Sequence, residues 1–553
     1  MVTSLEPTSG LGKASESWVE KHVQATAVAV TLLGLGVRLW KASGTFLNPD
    51  EALHFRLANQ RSLVLAYKES LTNAHPPLLT FVLYFWRLAG TSELCLRLPL
   101  VIASVAFCWM FYKWLSHAAG YLAGFIGLLF VAFLPPIVSL SAEIRQYPLL
   151  LAFVASALYF LDAAFVKNST SRMAVFTVCL YLAIMSHYSA FLFAAALGVY
   201  ALLRIFSKRP STGLVSVWAI GQLGVLALAI VFYKTHISKL GWTESTAATQ
   251  GWLSDMYLRR SYFDSAHDNP VVFVLGHTFG VFQYIFGQLA VGDVMGLFFL
   301  AAIVLLLRGK GFRDGREPRL LGILLLLVFA IAAGASLAHA YPYSGTRQVA
   351  FLIIPGVAGV SIAMARLAAG KWARGIAIAA FVLAACIAFG KARQPAMSRS
   401  DQSRAHMTNA IEFVQQNVGP SELIFTDYQS DLILGHYLCQ QRPVSFEPAP
   451  ADFEQFFCAD HRVVSTDYRT WVLGADNFPQ EWQEFLQAYK PNPGNSVWIV
   501  QAGWGVSLPE DLRKRYAEFR DPPVQSFGAN IKIFKLKVGQ PADRFVSSDF
   551  FFP

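Results

Sequence analysis

Apolar residues in this chain fall in long blocks rather than at the spacing of an amphipathic helix or strand. The blocks cover 24–41, 98–114, 119–140, 148–166, 173–186, 190–206, 212–234, 292–307, 319–340, 348–366 and 373–390. A bilayer core takes about 20 apolar residues per helical crossing, so the blocks predict eleven membrane spans. Two further apolar stretches, 76–89 and 271–290, read as helices skimming the membrane; if both crossed, the count would be thirteen. The first of them is short and interrupted by Arg87. Residues 1–21 are polar and the first block is long enough to stay as an anchor, which predicts no cleaved leader. From about residue 398 the pattern changes. Helical periodicity at 407–417, 431–439, 481–489 and 509–519 alternates with strand-like runs at 423–426, 497–501 and 531–536, as in a small α/β domain. The expected fold class is an α-helical polytopic membrane protein with a C-terminal soluble α/β domain.

Composition sharpens this picture. Charged residues make up 14% of the 553, against about 25% in soluble proteins. The net charge of +10 could suggest nucleic acid, but much of the Lys and Arg sits in short turns at 113–117, 167–172, 204–209, 308–319 and 366–374. The eleven spans place all these turns on one side, and short basic turns face the cytoplasm. Residues 1–23 are then expected to be cytoplasmic, 24–392 to form the membrane domain with an external loop at 42–97, and 393–553 to form an external soluble domain. No nucleic-acid partner is expected. Cys95, Cys108, Cys179 and Cys386 lie in or beside apolar segments and read as packing residues; Cys439 and Cys458 both fall in the soluble domain and could form one disulfide. No CxxC spacing or Cys/His cluster points to zinc.

On this topology the external turns collect ionisable residues, which are costly at membrane depth. Asp50 and Glu51 follow the first span. An acidic pair in a loop is usually only solvated, but this one precedes an amphipathic segment at 53–67 expected to lie on the membrane surface. A carboxylate there could take a proton from an acceptor hydroxyl or bind a divalent cation. His75 stands before Pro76 and Pro77, prolines of the kind that open a helix; the histidine reads equally well as a loop residue or a site residue. Glu143, Arg145 and Tyr147 form a second external turn, His187 marks a third, and Arg347 lies beside Tyr341 and Tyr343 in another. Each Arg or Tyr could be only an interfacial anchor. Two Arg on separate turns, with His75 and His187 nearby in topology, would also suit an anionic headgroup, because Arg directs several donors at a phosphate. The C-terminal domain holds no Gly-rich phosphate loop and no nucleophile elbow, so it is assigned no chemistry.

The motifs fall in a recognisable order: NPDEA at 48–52, AHPPL at 74–78 and GTSELCLRLP at 90–99, then SLSAEIRQYPL at 139–149, with SHYS at 186–189 and TR at 346–347 as looser matches. Together they resemble the GT-C membrane glycosyltransferases of the protein-mannosyltransferase and lipid A aminoarabinose-transferase group, over about residues 32–366. The resemblance implies a GT-C fold and an enzyme that takes a sugar from a polyprenyl- or dolichyl-phosphate carrier and transfers it to an acceptor hydroxyl or phosphate outside the cytoplasm. It implies Asp50 as general base or acceptor organiser with Glu51 beside it, and His75, Arg145 and Arg347 as the donor-phosphate site. Many relatives end the second loop in R-P-D where this chain reads Arg145, Gln146, Tyr147, Pro148, so Glu143 is the substitute for the second acidic function. Tyr147, His187 and Tyr343 are secondary candidates. No particular cofactor is implied, and metal dependence stays open: a divalent metal could be shared by Asp50, Glu51 and Glu143. The expected partners are the lipid-phosphate sugar, membrane lipids and a lipid, glycan or protein acceptor; the expected location is a bacterial inner membrane.

Two other classes compete with this reading. A transporter or flippase of an anionic lipid-linked sugar would use a similar polar pocket, but transporters often carry internal repeats, and none is found. A membrane scaffold would leave Asp50, Arg145 and Arg347 without a role.

Overall fold

The computed structural model describes residues 21–239, 258–309, 317–390, 400–440, 442–515 and 524–538. Residues 1–20, most of the basic loop 308–319 and the junction at 391–399 lie outside these, so the expectations placed on them are not addressed.

Among the described residues, nine helices are long and apolar enough to cross a bilayer, and each coincides with one of the expected blocks. The pair Tyr121–Phe133 and Pro135–Ser141, bent by 61°, brings the number to ten when counted as one broken span. The eleventh expected block is the helix Thr170–Ser186, which at 17 residues is somewhat shorter than the rest. The chain is a multi-pass integral membrane protein.

The helix Leu78–Trp86 does not cross. Arg87 at its end donates to Asn59 Oδ1 at 2.6 Å and to the Gln60 carbonyl at 2.7 Å. Tyr437 then accepts from the Leu47 amide and donates to Glu93 Oε1, both at 2.9 Å. Residues before and after that helix therefore lie at the same end of the bundle. Pro270–Phe286 has 17 residues, and Thr278 Oγ1 meets Tyr343 Oη at 2.6 Å.

The bent span explains a buried arginine. In an unbroken helix the amides of residues 135 and 136 would bond the carbonyls of Val131 and Ala132, but both positions are proline and have no N–H. Arg38, with no exposed surface, supplies the donors from the first span. Its Nη2 reaches Val131 O at 2.7 Å and its Nη1 reaches Ala132 O at 2.8 Å, while Nε holds Ser104 Oγ at 2.7 Å. The break redirects the chain into the turn that carries Glu143 and Arg145.

The C-terminal domain is built on seven strands: β1 (Leu423–Thr426), β2 (Phe446–Glu447), β3 (Phe453–Cys458), β4 (His461–Thr466), β5 (Ser496–Ala502), β6 (Gln525–Ser526) and β7 (Ile531–Lys537). Their order in one mixed sheet is β2-β3-β4-β1-β5-β7-β6. Strand β1 runs parallel to both β4 and β5, whereas β3–β4 and β5–β7 are antiparallel. Cys439 and Cys458 are joined in a disulfide, which ties the end of β3 to the chain just past the helix Tyr428–Tyr437.

This domain is docked on the 42–97 loop. The Phe46 amide donates to Gln402 O and the Arg404 amide to Gly44 O, each at 2.9 Å. Arg56 pairs with Asp431 at 2.6 Å and with Glu454 at 2.8 Å. Loop and domain thus share one end of the bundle, as an even number of crossings between them requires.

Candidate active site

The helix Pro49–Ala58 starts with a complete capping box. Asn48 Oδ1 accepts from the Glu51 amide and Glu51 Oε2 accepts from the Asn48 amide, both at 3.0 Å, with Pro49 in the first turn. Three of the four residues in the NPDE run are therefore occupied in making a helix start. The remaining one, Asp50, lines a cavity.

Glu51 does more than cap. Arg97 grips it with two bonds, Nε to Oε1 at 2.7 Å and Nη2 to Oε2 at 2.6 Å. The same guanidinium donates to the carbonyls of Ala42, Thr45 and Phe46 at 2.8–3.0 Å. Glu51 Oε1 also accepts from the Ile144 amide at 3.0 Å. This buried pair fastens the first loop to the 142–146 turn and so fixes where Arg145 stands.

Arg145 pairs with Asp50 through Nη2, and its Nη1 donates to His54 Nε2 at 3.3 Å. Arg347, from the turn before the span Arg347–Leu367, reaches the same Asp50 oxygen at 3.1 Å. His54, His75 and His187 follow in a row, with ring centroids 6.0 Å and then 5.5 Å apart, and Tyr147 lies 5.3 Å from His187. Burial, helped by the charge of Arg347, pushes His54 down to about 4. Burial, with the other histidines and Arg347 contributing, puts His75 well below its ordinary value, and burial alone takes His187 down to about 3. All three shifts favour the uncharged ring. Two guanidinium groups against one carboxylate then leave the cluster one positive charge in excess, which favours an anion.

The cavity holds about 1160 Å³ and is lined by Asp50, His54, His75, Arg145, Tyr147, His187 and Arg347 on its membrane-domain side. The C-terminal domain forms the facing wall, which includes Tyr428, Asp431, His436, Trp471 and Trp504. Of the residues expected from the sequence, Asp50, His75, Arg145, Arg347, Tyr147 and His187 come together here. Glu51, Glu143 and Tyr343 are not in the cavity wall. Tyr343 is fully buried, with its amide on Ser261 O at 2.8 Å and its hydroxyl on Thr278. Glu143 stands in the turn behind the wall, where burial and the nearby Glu51 push its carboxyl up to about 7 against the pull of Arg347, Arg97 and Lys41.

No group of three or more His, Cys, Asp or Glu among the described residues is disposed to hold a metal ion. Glu51 is committed to Arg97 and Asp50 to two arginines, so the three carboxylates do not fit a shared divalent ion. Sequence reasoning missed His54, Arg97 and the whole C-terminal wall. Arg97 sat inside the quoted GTSELCLRLP motif, and His54 lies one helical turn after Asp50, just past NPDEA, at the spacing that puts a second residue on the same helix face.

Residues 74–234 match the family model described as dolichyl-phosphate-mannose-protein mannosyltransferase, which takes in both the AHPPL and the SLSAEIRQYPL motifs. The structure is similar to that of ArnT from Cupriavidus metallidurans bound to undecaprenyl phosphate, with a TM-score of 0.52 and 13% identity over 93% of this chain and 98% of that one. The fold is of the GT-C type. The apo form of the same ArnT matches equally, at a TM-score of 0.52 over 94% of this chain. The oligosaccharyltransferase of Archaeoglobus fulgidus is more distant, at 0.48 and 11% identity over 88% of this chain and 70% of that one. No curated protein matches the sequence. The likeness to GT-C glycosyltransferases first read from the loop motifs is borne out by the family model and by the fold.

Proposed function

We propose that this GT-C protein is a membrane glycosyltransferase that moves a sugar from a polyprenyl-phosphate carrier to an acceptor hydroxyl or phosphate at the external face of the membrane. The observation that carries this reading is the placement of Asp50 between Arg145 and Arg347 in a cavity between the membrane domain and the C-terminal domain. The ArnT structure with undecaprenyl phosphate and the lipid-phosphate donor in the family description support the same class.

In this account the sugar's anomeric carbon is attacked by the acceptor oxygen, Asp50 takes the acceptor's proton, and the carbon–phosphate oxygen bond breaks. The carrier leaves as a phosphate monoester with one more negative charge than the diester it came from. Arg145 and Arg347 stabilise that charge where it develops, and His75 faces the phosphate beside them. Glu51 acts by position, through Arg97 and Ile144, rather than on substrate. Tyr147 and His187 shape the wall.

The geometry adds an order of events. A carboxylate held by two guanidinium groups is a weak base, because both charges favour its ionised form. A donor phosphate that draws the arginines away from Asp50 raises its basicity, so donor binding precedes and enables acceptor attack. The loop, the cavity and the C-terminal domain share one end of the bundle, and the short basic turns support a reading in which that end faces outside the cell membrane. The Cys439–Cys458 disulfide suits an oxidising compartment. Transfer assays with purified protein, varying donor and acceptor in turn, test the order: the lipid phosphate product should compete with donor and not with acceptor. Competition with the acceptor alone would overturn it.

A further inference from the structure

The wall contributed by the C-terminal domain carries polar atoms that nothing among the described residues satisfies. Asp431 is 1% exposed; its Oδ2 takes the Arg56 bond at 2.6 Å, but its Oδ1 has no partner among the described residues. His436 is 5% exposed, and neither ring nitrogen is bonded among the described residues. Burial and the charge of Arg97 push that ring down to about 3, so it is neutral and offers one donor and one acceptor. Trp504 leaves its indole N–H unpaired among the described residues, and Gln348, across the cavity, leaves its Oε1 unpaired there. All four line the same cavity.

These groups are held in place. Gln429 fixes Trp504 with two backbone bonds, from the Trp504 amide at 3.1 Å and to the Trp504 carbonyl at 2.8 Å. The preceding Gly503 has φ 129, and a Cβ there would stand 2.7 Å from Gln429 Oε1, so only glycine permits this approach. Unpaired buried polar atoms are costly, by about 1–3 kcal/mol each. A rigid wall that keeps several of them is built for a ligand that supplies the missing partners.

The mixture of donors and acceptors defines the ligand. A hydroxyl group both donates and accepts from a single atom, so it can meet either kind of unpaired partner. Tyr428 and Trp471, whose rings lie 5.5 Å apart on the same wall, add half-buried aromatic faces for apolar C–H surfaces to rest on. The unpaired Asp431 oxygen opposes an anionic group beside it. A Ser- or Thr-bearing peptide would bring one hydroxyl to this wall. A saccharide brings several, together with a C–H face.

We infer that the wall formed by Asp431, His436, Trp504, Trp471 and Tyr428, with Gln348 opposite, is an acceptor subsite for a neutral saccharide. This rests on the glycosyltransferase reading above and narrows its acceptor from lipid, glycan or protein to glycan.

The test is saturation-transfer NMR on the purified full chain in nanodiscs, with neutral hexose and pentose oligosaccharides and with Ser/Thr peptides of similar mass. At least one oligosaccharide class should show contact with the protein. Trp504→Phe, which keeps an aromatic ring and removes the N–H, and Asp431→Asn should each weaken it about tenfold, the size of one lost hydrogen bond to a buried polar group. The melting temperature of each variant reports whether it is folded. Peptide binding without saccharide binding overturns the inference, and so does the absence of any saccharide contact at millimolar concentration. Undecaprenyl phosphate, added to the same wild-type sample, reports separately on the donor: saccharide binding without lipid-phosphate binding keeps this inference and removes the donor reading.

Discussion

Arg347 reaches the carboxylate of Asp50 at 3.1 Å across 297 residues of sequence. Arg145 holds the same oxygen from another turn. Three segments that are distant in the chain thus place two guanidinium groups and one carboxylate at a single point, with an unbalanced positive charge.

Replacing Arg145 or Arg347 with Ala should weaken donor binding by about 1.5–3 kcal/mol, the range for hydrogen bonds to charged groups. The double variant should lose less than the sum, because both side chains act on one phosphate. Lys at either position should restore the loss only in part, since an ammonium lacks the planar fork. Titration of undecaprenyl phosphate into each variant measures this; full additivity would mean that the two arginines serve different ligands.

Glu51→Gln should act on stability more than on chemistry. The pair with Arg97 is almost fully buried, at 0% and 2% side-chain exposure. Removing one partner of such a pair leaves an uncompensated charge and costs about 3–5 kcal/mol. A large fall in melting temperature is expected. A folded, fully stable Glu51→Gln protein with no turnover would instead make Glu51 a catalytic group.

Arg38→Leu should destabilise the bent span, because the carbonyls of Val131 and Ala132 lose their guanidinium donors near a double proline, leaving Val131 O only the weak Cys108 thiol contact among the described residues. The expected cost is about 1–3 kcal/mol for each orphaned group. Pro135→Ala and Pro136→Ala together return the missing amides and should recover part of the loss when combined with Arg38→Leu. A melting temperature unchanged by Arg38→Leu would refute this role.

Glu143 provides a pH signature. Its folded-state value of about 7 lies above its ordinary 4.5, so the native protein holds an extra proton between these two values. The stability from that protonated carboxyl is fully present below about 4.5 and is lost as the pH rises through about 7. Glu143→Gln keeps the neutral form at every pH. The melting temperature of the variant should therefore gain on that of the wild type as the pH is raised from 5 to 8. A constant difference across that range would contradict the assignment.

The sequence made most of the membrane architecture legible, because an apolar block must be about as long as the bilayer is thick and nothing else in a folded chain imposes that length. It also marked Asp50, His75, Arg145 and Arg347, whose charge or ring stood out against apolar neighbours. It was silent where a residue's meaning depends on a distant partner. The capping-box spacing from Asn48 sets Glu51 apart from Asp50 locally, but only Arg97 and Ile144 make it a fastener between loops. The β3–β4 hairpin escaped notice because its turn is Ala459–Asp460, both at positive φ, without the Asn-Gly pair that announces such turns. The C-terminal wall was invisible for a similar reason: Trp471, Trp504 and Asp431 are unremarkable in sequence and acquire a function only where the domain docks on the loop.

The most direct test of the whole account is sugar transfer by detergent-purified protein supplied with a polyprenyl-phosphate sugar and no nucleotide sugar. The wild type should release free polyprenyl phosphate and transfer the sugar to acceptor, while Asp50→Asn, still folded and still binding the lipid phosphate, should lose turnover with little change in donor affinity. Transfer from a nucleotide sugar alone, or normal turnover by Asp50→Asn, would contradict the account at its centre.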